Sequence, residues 1–153
     1  MLKRERISKL VGLAAAPPRM PLESHPYFHE YFRLWNELRY YEAHDVLEQI
    51  WLDENYAEHA DFLKGLIQAA GAFVHLQKQY EHPTHPKHGR RLAPARRLFR
   101  LALDNLAPFE PLTHRFDVGA FRGLLRKFED DLGRKIDENP WSPQSAPQLS
   151  LAQ

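Results

Sequence analysis

Apolar residues recur along this chain at intervals of three and four, the spacing of an amphipathic α-helix. Five stretches show the pattern, and prolines or other loop-forming residues separate them. We therefore predict an all-α fold, a single compact helical bundle of about five helices with a Pro-rich N-terminal arm and a C-terminal tail. Asp117 is a favourable N-cap for the last helix. The predicted helices cover approximately residues 26–38, 40–52, 57–80, 94–106 and 118–136.

The same pattern divides the chain into three parts. Three prolines prevent the basic, amphipathic N-terminal arm from continuing as a helix. The segment after the last helix is rich in Pro and Ser, so we expect an extended tail with Trp141 available to dock on the body. The three parts are the arm and linker (residues 1–24), the helical bundle domain (residues 25–137) and the tail (residues 138–153).

Composition narrows the class of protein. The chain has 153 residues, 43% hydrophobic and 27% charged, which is typical of one globular domain. A formal net charge of +1 gives no overall attraction to nucleic acid or to a membrane, and no cysteine is present for disulfides or thiolate metal sites. The short apolar run near the N-terminus does not fit a signal peptide, and no stretch is long enough to span a bilayer. We expect a cytoplasmic protein without membrane partners.

The second predicted helix places titratable side chains beside an apolar stripe. At about 100° per residue, His44 and Glu48 fall in the same sector as Tyr40 and Trp51. Burying an unpaired glutamate in that sector would cost several kcal/mol. The two polar side chains are therefore expected to have partners on a neighbouring helix.

The third predicted helix supplies candidate partners. Gln68 and His75 interrupt its apolar centre, and their separation of seven residues puts them on one side. Small residues share that side, and since a helical Gly costs about 1 kcal/mol relative to Ala, they indicate close approach of another backbone. We expect the two helices to meet in a buried polar seam. The seam candidates are Glu42, His44, Glu48, Trp51, Gln68 and His75, and the close-approach residues are Gly65, Gly71 and Ala72.

Two kinds of function fit such a seam. The favoured interpretation is a small helical binding or structural module, in which the seam satisfies its own polar groups and holds a small ligand. The alternative is a metal-dependent, hydrolase-like enzyme, since two His and one carboxylate form a known open site for a divalent metal. Its metal ligands would be His44, Glu48 and His75. The residues alone do not establish the function, and they leave open whether the protein is an enzyme.

Two further features carry weaker hypotheses. The loop with His82, His85 and His88 could bind a divalent metal. Its prolines give no reason to expect the three imidazole rings to point to one place, so a solvated loop is favoured. The stretch from Lys87 to Arg100 could contact phosphates, yet it lacks interleaved aromatic residues, so nucleic acid is disfavoured as a partner. The residues of this basic patch are Arg90, Arg91, Arg96, Arg97 and Arg100.

The second and third helices resemble the signature of an uncharacterised family, domain-of-unknown-function family 309, found in bacteria, archaea and plastids. Similarity extends more weakly from Tyr27 to Ile136. The signature residues in this chain are Asn36, Tyr40, Tyr41, Glu42, Ala43, His44, Asp45, Leu47, Glu48 and Trp51, followed by Gly65, Leu66, Ile67, Gln68, Ala70 and His75.

The resemblance implies a compact all-helical protein of cytoplasmic type that is capable of self-association, and it implies no activity. It also draws attention to Glu42, which would either meet the helix dipole or rim the site. Leu38 stands where the family has Gly, so we expect a different turn before the second helix. Asp45 replaces the usual Glu at a position expected to be exposed. The His-rich loop and the arginines after it replace the family's Gly-Asn and Gly-Ala pairs, so any role of that Asn does not carry over.

Overall fold

The computed structural model describes residues 19–86 and 89–153, and it confirms the all-α bundle of five helices. The basic residues predicted to lie in the N-terminal arm, together with Lys87 and His88, fall outside the described residues. No helix within the described ranges is long and apolar enough to cross a membrane. The helices are α1 (Pro26–Asn36), α2 (Tyr40–Trp51), α3 (Ala60–Glu81), α4 (Leu92–Leu106) and α5 (Val118–Arg134).

Helix α3 is the central element, with α2 packed on one side and α4 on another. Helix α1 packs against α2, and α5 packs against α4, so the bundle closes around α3. Its core is aromatic: the ring of Trp35 lies 4.7 Å from that of Phe73 and 5.1 Å from that of Tyr40, both in edge-on contact. Edge-to-face ring pairs stabilise a core beyond the area that they bury. The aromatic stripe predicted for the first helix therefore packs in the core.

The helix that approaches the small residues of α3 closely is α4. A Cβ atom at Gly65 would lie 2.6 Å from Cγ of Leu106, and one at Gly71 would lie 3.3 Å from Cδ1 of Leu98. Ala72 is fully buried nearby. The neighbour at Gly65 is thus the Leu106 side chain of α4, whereas the expected neighbour, α2, packs elsewhere on α3.

The turn between α1 and α2 depends on Leu38. Its φ of 62° lies in the left-handed region that favours glycine, the residue that the resembled family has there. The side chain packs against the core, and Nε2 of Gln77 donates a hydrogen bond to the Leu38 carbonyl at 2.8 Å. We expected a different turn, but Leu38 itself adopts the glycine-like conformation, stabilised by these contacts.

A short hairpin precedes α5, and the sequence pattern did not predict it. Strands β1 (Leu112–Thr113) and β2 (Phe116–Asp117) pair antiparallel. The turn residues His114 and Arg115 have φ of 49° and 64°, the geometry of a tight two-residue hairpin. Asp117 then accepts a hydrogen bond from the Ala120 backbone N–H at 2.8 Å, which confirms the predicted N-cap of α5.

Both ends of the described chain pack on the bundle. Leu22, in the part predicted to be a linker, is fully buried. In the tail, Trp141 is buried against Tyr40, and its Nε1 donates to the Tyr40 hydroxyl at 3.2 Å. The docking expected of Trp141 therefore occurs, and the residues after it follow the surface of the body.

Substituting the two glycines of α3 should have opposite effects on stability. We expect Gly65→Ala to lower the free energy of unfolding by about 1–2 kcal/mol. The new methyl group would collide with the Leu106 side chain, and this cost exceeds the gain in helix propensity of Ala over Gly. Gly71→Ala, with more room, should be neutral or stabilise by up to about 1 kcal/mol. Urea denaturation of both variants checks this, and equal effects would contradict the assignment of the close contact to Gly65.

Candidate functional site

The orientation of α2 differs from the predicted one by roughly a quarter of a turn. The side that packs on the core is mainly apolar, and the sector that contains His44 and Glu48 faces outward instead. Those two side chains are only partly buried, with 29% and 25% of their surface exposed. The prediction that they lie in a buried seam is therefore wrong in placement. The residues that face the core are Tyr40, Ala43, Val46, Leu47 and Ile50.

His44 and Glu48 lie one helical turn apart on the outward side of α2. Nε2 of His44 is 3.9 Å from Oε2 of Glu48, and the imidazole stacks on the ring of Tyr41 with centroids 6.2 Å apart. Tyr41 is 53% exposed and Trp51 39% exposed, and Leu52 next to Trp51 is 63% exposed. We call Tyr41, His44, Glu48, Trp51 and Leu52 the outer face of α2.

The two acidic residues expected in water have different surroundings. Asp45 is only 2% exposed, and its carboxylate lies 3.1 Å from Nδ1 of His44, so the expectation of an exposed position is corrected. Glu42 stays partly exposed and forms an ion pair with Arg39 at the start of the helix. Of the two roles left open for Glu42, this contact favours a position at the helix N-terminus.

Gln68 and His75 face α4 and take their partners there. Nδ2 of Asn105 donates to Oε1 of Gln68 at 2.7 Å, and Nη1 of Arg91 donates to Nδ1 of His75 at 3.2 Å. Both bonds lie along the close-packed side of α3. The polar residues of α2 and of α3 thus belong to two separate groups, and the predicted contact between them is replaced by contacts with α4.

His75 is held neutral by its surroundings. Burial lowers its pKa to about 4, and the positive charges of Arg91, Lys78 and Arg97 act in the same direction. A neutral imidazole can accept the hydrogen bond from Arg91, whereas a protonated one cannot. The interaction therefore requires a neutral His75.

The structure does not assemble the candidate metal ligands. His75 points to α4, whereas His44 and Glu48 lie on the outer face of α2. Across residues 19–86 and 89–153, no three His, Cys, Asp or Glu side chains are arranged to hold a metal ion. In the His-rich loop, His82 and His85 are exposed with ring centroids 6.3 Å apart.

The basic patch is largely engaged in contacts with the body. Nε of Arg96 and Nε of Arg100 lie 2.9 and 2.8 Å from the same carboxylate oxygen of Glu129 on α5. Burial alone would raise the pKa of Glu129, but hydrogen bonds from Arg100 and Arg96 outweigh it and lower the pKa. Arg91 contacts His75, and the remaining patch residues, Arg90 and Arg97, are exposed.

Sequence reasoning missed a polar cluster at the N-terminal end of α3. Nδ1 of His114 lies 2.8 Å from the Glu23 carboxylate, and the His114 ring meets that of His59 edge-on at 4.6 Å. Nearby, Nδ1 of buried His25 accepts from the Tyr27 backbone N–H at 3.0 Å and caps α1. No sequence pattern marks the contacts of His114 because they join residues far apart in the chain, whereas the cap at His25 is local and lies just before Pro26.

Helix α2 and the 3₁₀ turn Glu54–His59 that follows it are rich in acidic residues. Residues 40–59 include six Asp or Glu and no Lys or Arg. Large apolar side chains are exposed on the same element, at Tyr41, Trp51 and Leu52. Of the six acidic residues, Asp45 is buried, and Glu42 and Glu58 form ion pairs with Arg39 and Arg19. The outer face of α2 thus combines exposed apolar side chains with the Glu48 carboxylate, a combination typical of a binding surface.

The geometry of α1, α2 and α3 can now be compared with known proteins. Residues 28–84 match the family model described as Domain of unknown function (DUF309). The predicted resemblance is confirmed. No curated protein and no solved structure matches the chain. The matched segment contains the whole of α2 and α3 and most of α1, so both groups of polar residues belong to the part that resembles DUF309.

The neutral state of His75 predicts acid sensitivity. Unfolded chains protonate histidine near its ordinary pKa of about 6.5, whereas the folded protein does so only near 4. The contribution of His75 to stability is therefore present above pH 6.5 and is lost as the pH falls toward 4. Between pH 7 and pH 5 we expect this residue to account for a loss of about 1–2 kcal/mol.

The variant His75→Asn tests this contribution, because an amide oxygen can still accept from Arg91 but does not titrate. Urea denaturation at pH 7 and at pH 5 should show a smaller loss of stability for the variant than for the wild type. The same loss in both proteins would refute the role of His75.

Proposed function

We propose that this protein is a small helical binding module that binds a basic, amphipathic segment of a partner protein on the outer face of α2. The observation that carries the proposal is the exposure of Tyr41, Trp51 and Leu52 within residues 40–59, a segment that includes six acidic residues and no Lys or Arg. A basic amphipathic segment offers the complementary pair of properties, apolar side chains and positive charge.

The apolar part of the interaction comes from both ends of the helix. Tyr41 lies in the first turn of α2, Trp51 is its last residue and Leu52 follows it, so the face is about 15 Å long at 1.5 Å per residue. Aromatic side chains such as Trp and Tyr are the residues that most often dominate binding energy when a partner buries them. A segment of two to three helical turns would cover both ends.

The polar residues of the outer face lie between its two apolar ends. Glu48 occupies the middle of the face, and the imidazole of His44 stands between Glu48 and the ring of Tyr41. A lysine or arginine of the partner would pair with the Glu48 carboxylate, and the surrounding acidic residues would attract it over a longer distance. Charge of this kind contributes to the association rate and makes binding depend on salt.

The scaffold presents this face without having to rearrange. The opposite side of α2 is fully buried through Ala43, Val46 and Leu47, and Tyr40 packs against Trp35 and Phe73. A helix held in this way keeps its outward side chains in a fixed register, which lowers the entropic cost of binding.

The other predicted functions have less support. A ligand inside a shared seam does not fit the separate partners of Gln68 and His44. Nothing specific favours the metal-dependent enzyme or the nucleic-acid partner. Self-association and a cytoplasmic location stay predictions, and the experiment below includes self-association as an outcome.

A synthetic amphipathic helical peptide of lysine and leucine is a suitable probe. We expect Trp51→Ala to weaken its binding by about tenfold or more, since buried aromatic contacts dominate such interfaces. Glu48→Gln should weaken binding by about threefold at low salt, and the difference should shrink at high salt. Fluorescence anisotropy of the labelled peptide measures both effects.

Matched controls lie after α5, outside the outer face. Ile136→Ala removes an apolar side chain that is even more exposed than Trp51, Glu138→Gln removes an exposed charge, and neither should change the affinity. The same peptide with glutamate in place of lysine should not bind. Equal losses in the control variants would refute the proposal. A concentration-dependent dimer that Trp51→Ala disrupts would assign the outer face to a second copy of the chain.

A further inference from the structure

The C-terminal tail lies in a groove along α1 and the hairpin. After the anchor at Trp141 and the short 3₁₀ turn Pro143–Ser145, the chain runs extended to its end. It passes the C-terminal end of α1 and reaches the hairpin turn at Arg115. The groove is thus formed mainly by residues of the segment that matches DUF309 and by the hairpin, and the tail that fills it lies outside that segment.

Two side chains of α1 recognise the backbone of the tail. Nε1 of Trp35 donates to the carbonyl of Pro147 at 2.9 Å. Nδ2 of Asn36 donates to the carbonyl of Leu149 at 2.8 Å, and its Oδ1 accepts from the N–H of the same residue at 2.8 Å. The Asn36 amide therefore forms hydrogen bonds with both backbone groups of Leu149, as a neighbouring β-strand would do.

A second backbone contact holds the end of the tail. The N–H of Ala152 donates to the carbonyl of Arg115 at 2.6 Å, and Nε of Arg115 donates to the carbonyl of Ala152 at 2.7 Å. The hydrogen bonds at Pro147, Leu149 and Ala152 involve main-chain atoms of the tail. In this part of the tail, the Gln148 side chain adds a longer bond, in which its Nε2 donates to the Asn36 carbonyl at 3.4 Å. The main-chain contacts bind an extended segment without requiring one particular sequence.

The side chains of the tail alternate in burial. Leu149 and Leu151 are partly buried and pack against the core, whereas Gln148 and Ser150, which precede them, are exposed. This is the period of two expected for an extended segment with one side on a surface. Since neither leucine is fully buried, this end of the tail is less firmly held than Trp141, which is almost fully buried.

We propose that this groove is a recognition site for an extended peptide segment of a partner protein, and that the tail occupies it as an intramolecular competitor. The segment would carry apolar residues at alternate positions, as in the Pro-x-Leu-x-Leu pattern of residues 147–151. Asn36 and Trp35 would hold its backbone, and the two partly buried positions would select its side chains. The proposal is independent of the outer face of α2, because it uses other residues.

The tether determines how the competition works. A segment joined to the body by a short linker has an effective concentration in the millimolar range, so a free peptide with equal contacts displaces it only partly. Substitutions that weaken the contacts between the tail and the groove should therefore strengthen binding of an external peptide. This effect distinguishes a competing tail from one that is only part of the fold.

The probe is a fluorescein-labelled synthetic peptide with the sequence of residues 145–153. We expect weak binding to the wild-type protein and at least about tenfold tighter binding when the protein carries Leu149→Asp together with Leu151→Asp. Adding Asn36→Ala to that protein should abolish the gain, because the peptide loses its backbone partner. A peptide with aspartate at the same two leucine positions should not bind.

The matched control places the same charges on the exposed side of the tail. Protein with Gln144→Asp and Ser150→Asp, two exposed positions of the tail, should bind the peptide no more tightly than the wild type. Equal gains in both double variants, or none in either, would overturn the proposal. Gains accompanied by dimers that exchange tails would assign the groove to a second copy instead, which also overturns it.

Amide hydrogen exchange of the wild-type protein gives a test that needs no variant. The N–H groups of Leu149 and Ala152 should exchange through local release of the tail, faster than those at the centre of α3 by about a hundredfold or more. Adding the unlabelled peptide should not slow the exchange of α3. If both tail amides exchange only as slowly as α3, the tail leaves only on global unfolding and the proposal fails.

Discussion

The close packing of α4 against the small-residue side of α3 determines where the polar side chains of the bundle can lie. Gly65 admits the side chain of Leu106, and the two helices then come near enough for Gln68 and His75 to reach partners on α4. With that side of α3 occupied, α2 packs elsewhere on α3 and turns His44 outward. One steric contact thus separates the internal polar pairs from the exposed acidic face.

Helical periodicity predicted all five helices to within a few residues, and the N-cap at Asp117, because these features depend on local spacing. The predicted seam residues lie within the segment that matches DUF309, but the structure divides them into two groups. Their partners were not predictable in the same way. The pattern at Gln68 and His75 shows that they share one side of a helix, but it does not say which neighbour covers that side. The rotation of α2 was misjudged because Tyr40 and Trp51 were counted as buried together, whereas Trp51 lies at the exposed end.

The remaining differences involve backbone interactions that leave little trace in a residue pattern. The tail is held through main-chain groups by Asn36 and Trp35, more than a hundred residues away in the chain. Leu38 adopts a left-handed conformation that its residue type disfavours by about 1–2 kcal/mol, and tertiary contacts around it offset that cost. Neither feature follows from propensity, since each depends on what the folded body places beside the segment.

The positions of the three tryptophans make the protein its own optical reporter. Trp35 is fully buried beneath the tail, and Trp141 anchors the start of the tail. Trp51, on the outer face of α2, is 39% exposed. A soluble quencher will therefore reach the indole of Trp51 long before it reaches the other two. Quenching resolves the emission into one exposed component and two shielded ones, so that occupancy of either surface becomes visible in the spectrum of the unlabelled chain.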